Sequence, residues 1–176
     1  MITQEELKRV LHYDPDTGVF TWLIRPDDGT QGTKAFNTKF AGKRAGTLCK
    51  THGYRHISTS TVDGLIHREH RLAFLYMTGA WPSPDPDHKN GDKSDNSWNN
   101  LREATLSQNQ MNTKVRVDNA SGRKGVSFCN RTNKWVAQLI AGKTHYWLGR
   151  HSTIQDAIAA RLAAEIKYHG EYVRQT

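Results

Sequence analysis

The sequence predicts an α+β protein built as two units joined by a linker. Three observations carry that expectation. Short runs of β-branched and aromatic residues alternate with capped helical stretches, a polar segment from Thr113 to Gly122 interrupts the pattern, and the stretch beyond Gly122 reads strand, strand, strand, helix. With 176 residues there is room for one medium domain or two small ones. A mean hydropathy of -0.76 and 36% hydrophobic residues are lean, yet five Trp, six Tyr and five Phe are enough to seed small cores. The units are placed at 1–112 and 123–176, with 113–122 as the linker.

In chain order, Thr3 and Glu6 form a capping box for a helix running through Val10 and Leu11. Tyr13 to Gly18 turns the chain into VFTWLI, Val19 to Ile24, which reads as a strand. Arg25 to Lys43 is polar and rich in Gly, Thr and Lys. It reads as a surface loop, with DNA contact as the functional alternative. Strands return at Ala45 to Lys50 and Tyr54 to Ser60, turned at His52-Gly53, and an Asp63-Gly64 turn leads into Leu65-Ile66. A helix is expected from Arg68 to Met77, with Leu72, Leu75 and Tyr76 on one face and Gly79 stopping it.

Net charge is +8 with pI near 9.6, which favours a polyanionic partner. The excess is uneven: residues 1–112 hold 14 Lys and Arg against 13 acidic residues, residues 113–176 hold 11 against 4. Cys49 and Cys129 are isolated, so no structural zinc is expected and both read as buried thiols in a reducing compartment. The charged start MITQEELKRV is unlike a signal peptide, and no apolar run is long enough to span a membrane, so a cytoplasmic protein is expected, in a bacterial or phage-infected host.

The chemistry is expected between Asp87 and Asn109, DHKNGDKSDNSWNNLREATLSQN. Hydrolysis of a phosphodiester needs a base for water and a cation for the charge gathering on phosphate and leaving group. His88 suits the first task because imidazole titrates near neutrality. Asp87 and the side-chain oxygen of Asn109 suit the second as a hard, oxygen-only pair for Mg²⁺ or Mn²⁺, while Asn100 would pin the loop by hydrogen bonding. Two other readings stand beside this one. The Asp, Asn, Ser and Gly content fits a solvated loop of Asx turns. An EF-hand can be half drawn on Asp92, Ser94, Asn96 and Glu103, but Ser97 occupies the position that requires glycine.

At Asp87-His88, Gly91-Asp92, Asp95-Asn96, Asn100-Leu101-Arg102 and Asn109 the chain resembles the HNH endonucleases, in particular the homing and phage-encoded branch with Asn at the third position. The resemblance implies a ββα-metal motif: a strand into His88, a second from Leu101 to Ala104, and a helix opened by Thr105, for which Thr105 and Gln108 independently read as a capping box. Pro86 departs from the pattern by restricting strand pairing. HRLAFLYMTGAWP, His70 to Pro82, resembles the helix preceding the motif in phage proteins, and His70 reads as structural, with a second base or ligand as the alternative.

In the second unit, strands are expected at Lys124 to Cys129, Lys134 to Ile140 and Thr144 to Arg150, followed by a helix capped by Thr153 and Asp156, ended by Gly170 and burying Ile154, Ile158, Leu162 and Ile166. KGVSF, NKWVAQLI, YWLGR and the alanine-rich helix ending in HGEY resemble the AP2 DNA-binding domain. The resemblance implies a sheet entering the major groove through Lys124, Arg131, Lys134, Trp135, Gln138, His145 and Trp147, with Arg123 and Arg150 on the rim. Strand alternation puts about half of these side chains on the helix side, so Trp135 and Trp147 are not both expected to reach DNA, and at least one is expected in the core. Ser127, Ile140 and His145 stand at or near positions where plant members carry arginine, so target preference does not carry over. In the linker, Lys114 and Arg116 would lie on the phosphate backbone, or the segment simply tethers. The expectation is a monomeric, site-specific, metal-dependent endonuclease that nicks double-stranded DNA and needs no protein partner, of homing or other phage origin. The alternative is a non-catalytic DNA-binding regulator.

Overall fold

The computed structural model describes residues 1–59, 61–105, 109, 115, 119–142 and 144–169. They fall into two compact units, Met1–Ala104 and Thr105–Thr176. Gln108, Lys114, Arg116 and Gly170, to which the sequence assigns capping, phosphate contact and helix ending, lie outside the described residues.

The first unit opens with α1 (Gln4–Val10), where Thr3 and Glu6 make the expected capping box. The helix ends a residue earlier than expected, because Leu11 opens β1 (Leu11–Asp14), which pairs antiparallel with β2 (Val19–Trp22). Asp14 closes the turn between them by accepting from Asp16 N and Thr17 Oγ1.

The expected Arg25–Lys43 loop contains a helix, α2 (Gln31–Phe40). Its Gly, Thr and Asn content is poor for a helix, and tertiary contacts overcome that. Thr30 caps Thr33 N, Asp28 accepts from the hydroxyls of Thr30 and Thr33, Asn37 exchanges two hydrogen bonds with the Arg25 backbone, and Phe36 packs edge-on to Trp22 at 5.5 Å.

β3 (Thr47–Leu48), β4 (Arg55–Ser58) and β5 (Ile66–Arg68) form a three-stranded antiparallel sheet in that order. α3 (Glu69–Thr78) comes directly after and stops at Gly79, as its pattern predicts. Leu72, Ala73, Phe74 and Leu75 of α3 are buried against Leu7, Leu11, Tyr13, Phe20 and Ile57. β6 (Asp87–His88) and β7 (Leu101–Arg102) then pair antiparallel, with a tight helical turn at Trp98–Asn100 leading into β7. Leu101 is part of the same core, and burial of a leucine is worth about 1.5–3 kcal/mol, so the two-stranded hairpin is anchored to the unit.

The second unit contains β8 (Val126–Cys129), β9 (Lys134–Ala141) and β10 (Thr144–His151), an antiparallel sheet in the order β10-β9-β8, with α4 (Ile154–His169) packed on one face. Thr153 caps α4 with Asp156. The buried stripe differs from the expected one. Ala157, Arg161, Ala164 and Glu165 are buried, whereas Leu162 is 37% and Ile166 73% exposed. An i+4 row advances about 40° around a helix at each step, so its later members rotate away from a flat sheet; alternating three- and four-residue steps stay on it. The cysteines are half-buried rather than buried. Among the described residues no helix is long and apolar enough to cross a membrane.

Candidate active site

β6 and β7 bring Asp87 opposite Arg102 and His88 opposite Leu101. Arg102 donates from Nε (2.9 Å) and Nη2 (2.7 Å) to Asp87 Oδ2, fixing a carboxylate that is itself buried. The ion pair is not apparent from the sequence pattern, because register, not spacing, joins residues fifteen apart.

The loop between the strands is tied down by its own side chains. Asn100 reaches across it twice, accepting from Asn90 N at 3.0 Å and donating to Asp95 O at 2.7 Å. Asp92 accepts from Ser94, Asp95 accepts from Ser97, and Asn90 accepts from Asp92 N while donating to Asp95 Oδ2. These are Asx turns, as the Asp, Asn, Ser and Gly content of the loop predicts.

His88 is 3% exposed, and its Nε2 lies 3.0 Å from Asn96 Oδ1. Burial pushes its imidazole below the ordinary value, against the pull of the Asn96 bond and the Asp87 charge. Asn96 is 1% exposed and is gripped from several sides. Its Nδ2 donates to Glu69 Oε2 at 2.7 Å, and its backbone carbonyl accepts from Tyr13 Oη at 2.7 Å. Gly18 (φ +69°) packs against the backbone beyond it, where an added Cβ would lie 2.2 Å from Asn96 C. Glu69, fully buried at the start of α3, faces Arg55 Nε at 3.3 Å and Arg44 Nη2 at 3.8 Å. Burial raises its carboxyl, and the two guanidinium groups act in the opposite direction. Gly46 leaves the space for it: an added Cβ would sit 2.6 Å from Glu69 Oε1.

His70 packs edge-on to His88 with ring centroids 5.1 Å apart, and Tyr54 lies against both rings. The Nδ1 of His70 is buried with no hydrogen-bond partner among the described residues, and burial, with His88 adding, pushes this imidazole down to about 3. It stays neutral beside His88. Asn109 belongs to the second unit, where its N–H donates to the Thr105 carbonyl at 2.9 Å in a helical turn. Among the described residues no three His, Cys, Asp or Glu side chains are gathered as metal ligands would be.

The sheet of the second unit sorts the remaining candidates by face. Pairing of Trp147 with Gln138, His145 with Ile140, and Arg150 with Val136 puts Lys134, Gln138, His145, Trp147 and Arg150 on the face away from α4. There Trp147 is 55% exposed, Arg150 lies over its ring, and His145 Nε2 meets Gln138 Oε1 at 3.1 Å. Arg131 is exposed in the β8–β9 turn and Lys124 is half-buried ahead of β8. Trp135 is on the other face, packed against Val126, Ala137 and Ala157, and Arg123 is paired with Glu165 of α4. Of the expected DNA contacts, Trp135 therefore lies on the α4 side of the sheet and Arg123 is paired with a carboxylate of α4.

Together the fold and the geometry define a class: a small α+β chain with an Asp–His pair on a two-stranded hairpin and a separate sheet-and-helix unit. A family model described as HNH endonuclease matches residues 67–111, a span that holds α3, the hairpin and Asn109. That match points to DNA endonuclease activity. No curated protein and no solved structure matches the chain.

Proposed function

We propose that the protein is a divalent-metal-dependent DNA endonuclease, of the homing or phage HNH type, whose second unit selects the site. The observation that carries the reading is His88 itself: a neutral, oriented imidazole next to a carboxylate, inside the segment that matches the HNH family model. His88 takes a proton from water, the hydroxide oxygen bonds to phosphorus, and the bond to the 3′ oxygen breaks, leaving a 5′ phosphate and a 3′ hydroxyl. Asp87 and Asn109 would hold the cation. Both offer oxygen, which suits Mg²⁺ or Mn²⁺ rather than a soft metal, and Arg102 already fixes the direction of the Asp87 carboxylate. A bound cation supplies neutralisation of the charge on the phosphate and the leaving oxygen. Asn100 holds the loop so that His88 keeps its place.

One Asp–His pair per chain makes a nick the expected product of a monomer. Lys124, Arg131, Lys134, Gln138, His145, Trp147 and Arg150 are the proposed contacts to double-stranded DNA, as the AP2 resemblance suggests, and Lys114 and Arg116 would add phosphate contacts. The test is conversion of supercoiled plasmid carrying a bound site, with Mg²⁺ and with EDTA. Wild type should nick only with metal, and His88→Ala should lose about a hundredfold or more in rate. Equal conversion by both proteins would return the reading to a DNA-binding regulator.

A further inference from the structure

The buried link from Glu69 through Asn96 to His88 determines which ring nitrogen of His88 carries its hydrogen. A carboxylate has only acceptors, so the Asn96 group that meets Glu69 Oε2 at 2.7 Å must be its NH₂. The Asn96 side-chain oxygen then faces His88 Nε2 at 3.0 Å, and an oxygen that only accepts requires Nε2 to be the donor. The reversed amide would set two acceptor oxygens against each other inside a fully buried contact, too close for a water to separate them. We propose that Glu69 is a positioning residue which, through Asn96, holds His88 as the Nε2–H tautomer and so makes Nδ1 the nitrogen that accepts the water proton. The role of that proton rests on the nuclease reading, while the tautomer does not.

Several features support this link. Arg55 approaches both carboxylate oxygens of Glu69, at 3.3 and 3.4 Å, and also donates to Gly46 O, which ties β4 to the chain beside the carboxylate. Tyr13 holds the Asn96 backbone from the opposite side. His70, neutral and packed on the ring edge of His88, adds no charge that would oppose the arrangement. Hydrolysis needs an unprotonated nitrogen aimed at one place. A histidine with interchanging tautomers would spend part of its time with the wrong nitrogen protonated.

Glu69→Leu removes the acceptor that fixes the Asn96 amide. Neither orientation of that amide is then enforced from the Glu69 side, so His88 Nε2 can meet either its oxygen or its NH₂. Nitrogen-edited NMR of the imidazoles, at neutral pH without metal, reads the tautomer directly. The expected result is Nε2–H for His88 in the wild-type protein and a mixture of the two tautomers in Glu69→Leu. Plasmid nicking by the variant should fall by about two- to tenfold in kcat with KM nearly unchanged, because only part of the population keeps Nδ1 unprotonated. A wild-type His88 with hydrogen on Nδ1 would overturn the proposal, whether or not the variant folds, and so would a folded Glu69→Leu protein in which His88 keeps the Nε2–H tautomer alone. A wild-type Nε2–H spectrum from a protein that cleaves no DNA would support the tautomer assignment while removing the nuclease reading.

Discussion

Tyr13→Phe isolates the scaffold beneath the site. The substitution removes one oxygen and leaves the ring, which packs on Phe20 at 4.7 Å and on Tyr76 at 5.6 Å. The loss is confined to the 2.7 Å hydrogen bond to the Asn96 carbonyl. A typical hydrogen bond nets about 1 kcal/mol, and a buried carbonyl left without its donor costs about 1–3 kcal/mol, so a loss of about 2 kcal/mol is expected. With a urea slope of about 2 kcal/mol per M, that moves the midpoint down by about 1 M. Tryptophan fluorescence suits the assay because Trp22, Trp81 and Trp98 pack against the first unit's core, whereas Trp135 packs in the second. The shift should fall on the first unit's transition, and the His88 tautomer should survive because Glu69 still holds Asn96. A midpoint shift below about 0.3 M would mean that the Tyr13 hydroxyl does not support Asn96, and the picture of a rigid buried link would fail.

Two other expectations concern the sheet of the second unit and the start of the chain. Trp147→Ala should weaken DNA binding and leave stability within about 0.5 kcal/mol, while Trp135→Ala should cost about 2 kcal/mol in urea unfolding; the reverse pattern would invert the assignment of sheet faces. The other expectation is a response to acid. Burial acts to raise the Asp63 carboxyl, but donors from Thr59, His67, Ile2 and Leu65 outweigh it and hold it below the usual carboxylate range. Because the folded value is depressed, this stability is complete above the unfolded value near ~3.9 and is lost as pH falls from there through the folded value. Asp63→Asn should therefore flatten the decline in urea midpoint below pH ~4, and an undiminished decline would show that Asp63 is not its source.

Legibility in the sequence tracks the range of the forces involved. The strands of the second unit and the turn at 130–133 are local matters of β-branched content and turn residues, and they appear where expected, with strand ends shifted by a residue or two. α2 is illegible because its residues disfavour a helix, and the groups that hold it lie outside its own periodicity: Asp28 beneath the cap, Arg25 bound to Asn37, Trp22 under Phe36. The α4 stripe misleads for a different reason. Small alanines and the paired Arg161 and Glu165 occupy the buried face, so the large apolar residues that attract attention in the sequence are not the ones that pack.

The same division runs through the candidate site, and it explains which residues a pattern can supply. Asp87, His88 and Asn100 lie in one short loop, where the chemistry asks for a carboxylate, an imidazole and amides close together, so composition and spacing expose them. Glu69 is 27 residues from Asn96, and Tyr13 is 83 residues away. Nothing about a glutamate at the first position of a helix distinguishes it from one that merely complements the helix dipole. Only burial does so, because a carboxylate with no exposed surface must be satisfied by partners, and here two arginines and Asn96 supply them. The charge that organises His88 therefore reaches it through one intervening side chain, from a position far removed in sequence. A substitution scan confined to the loop from Asp87 to Asn109 would find the group proposed to take the proton and miss the group that decides which nitrogen can take it.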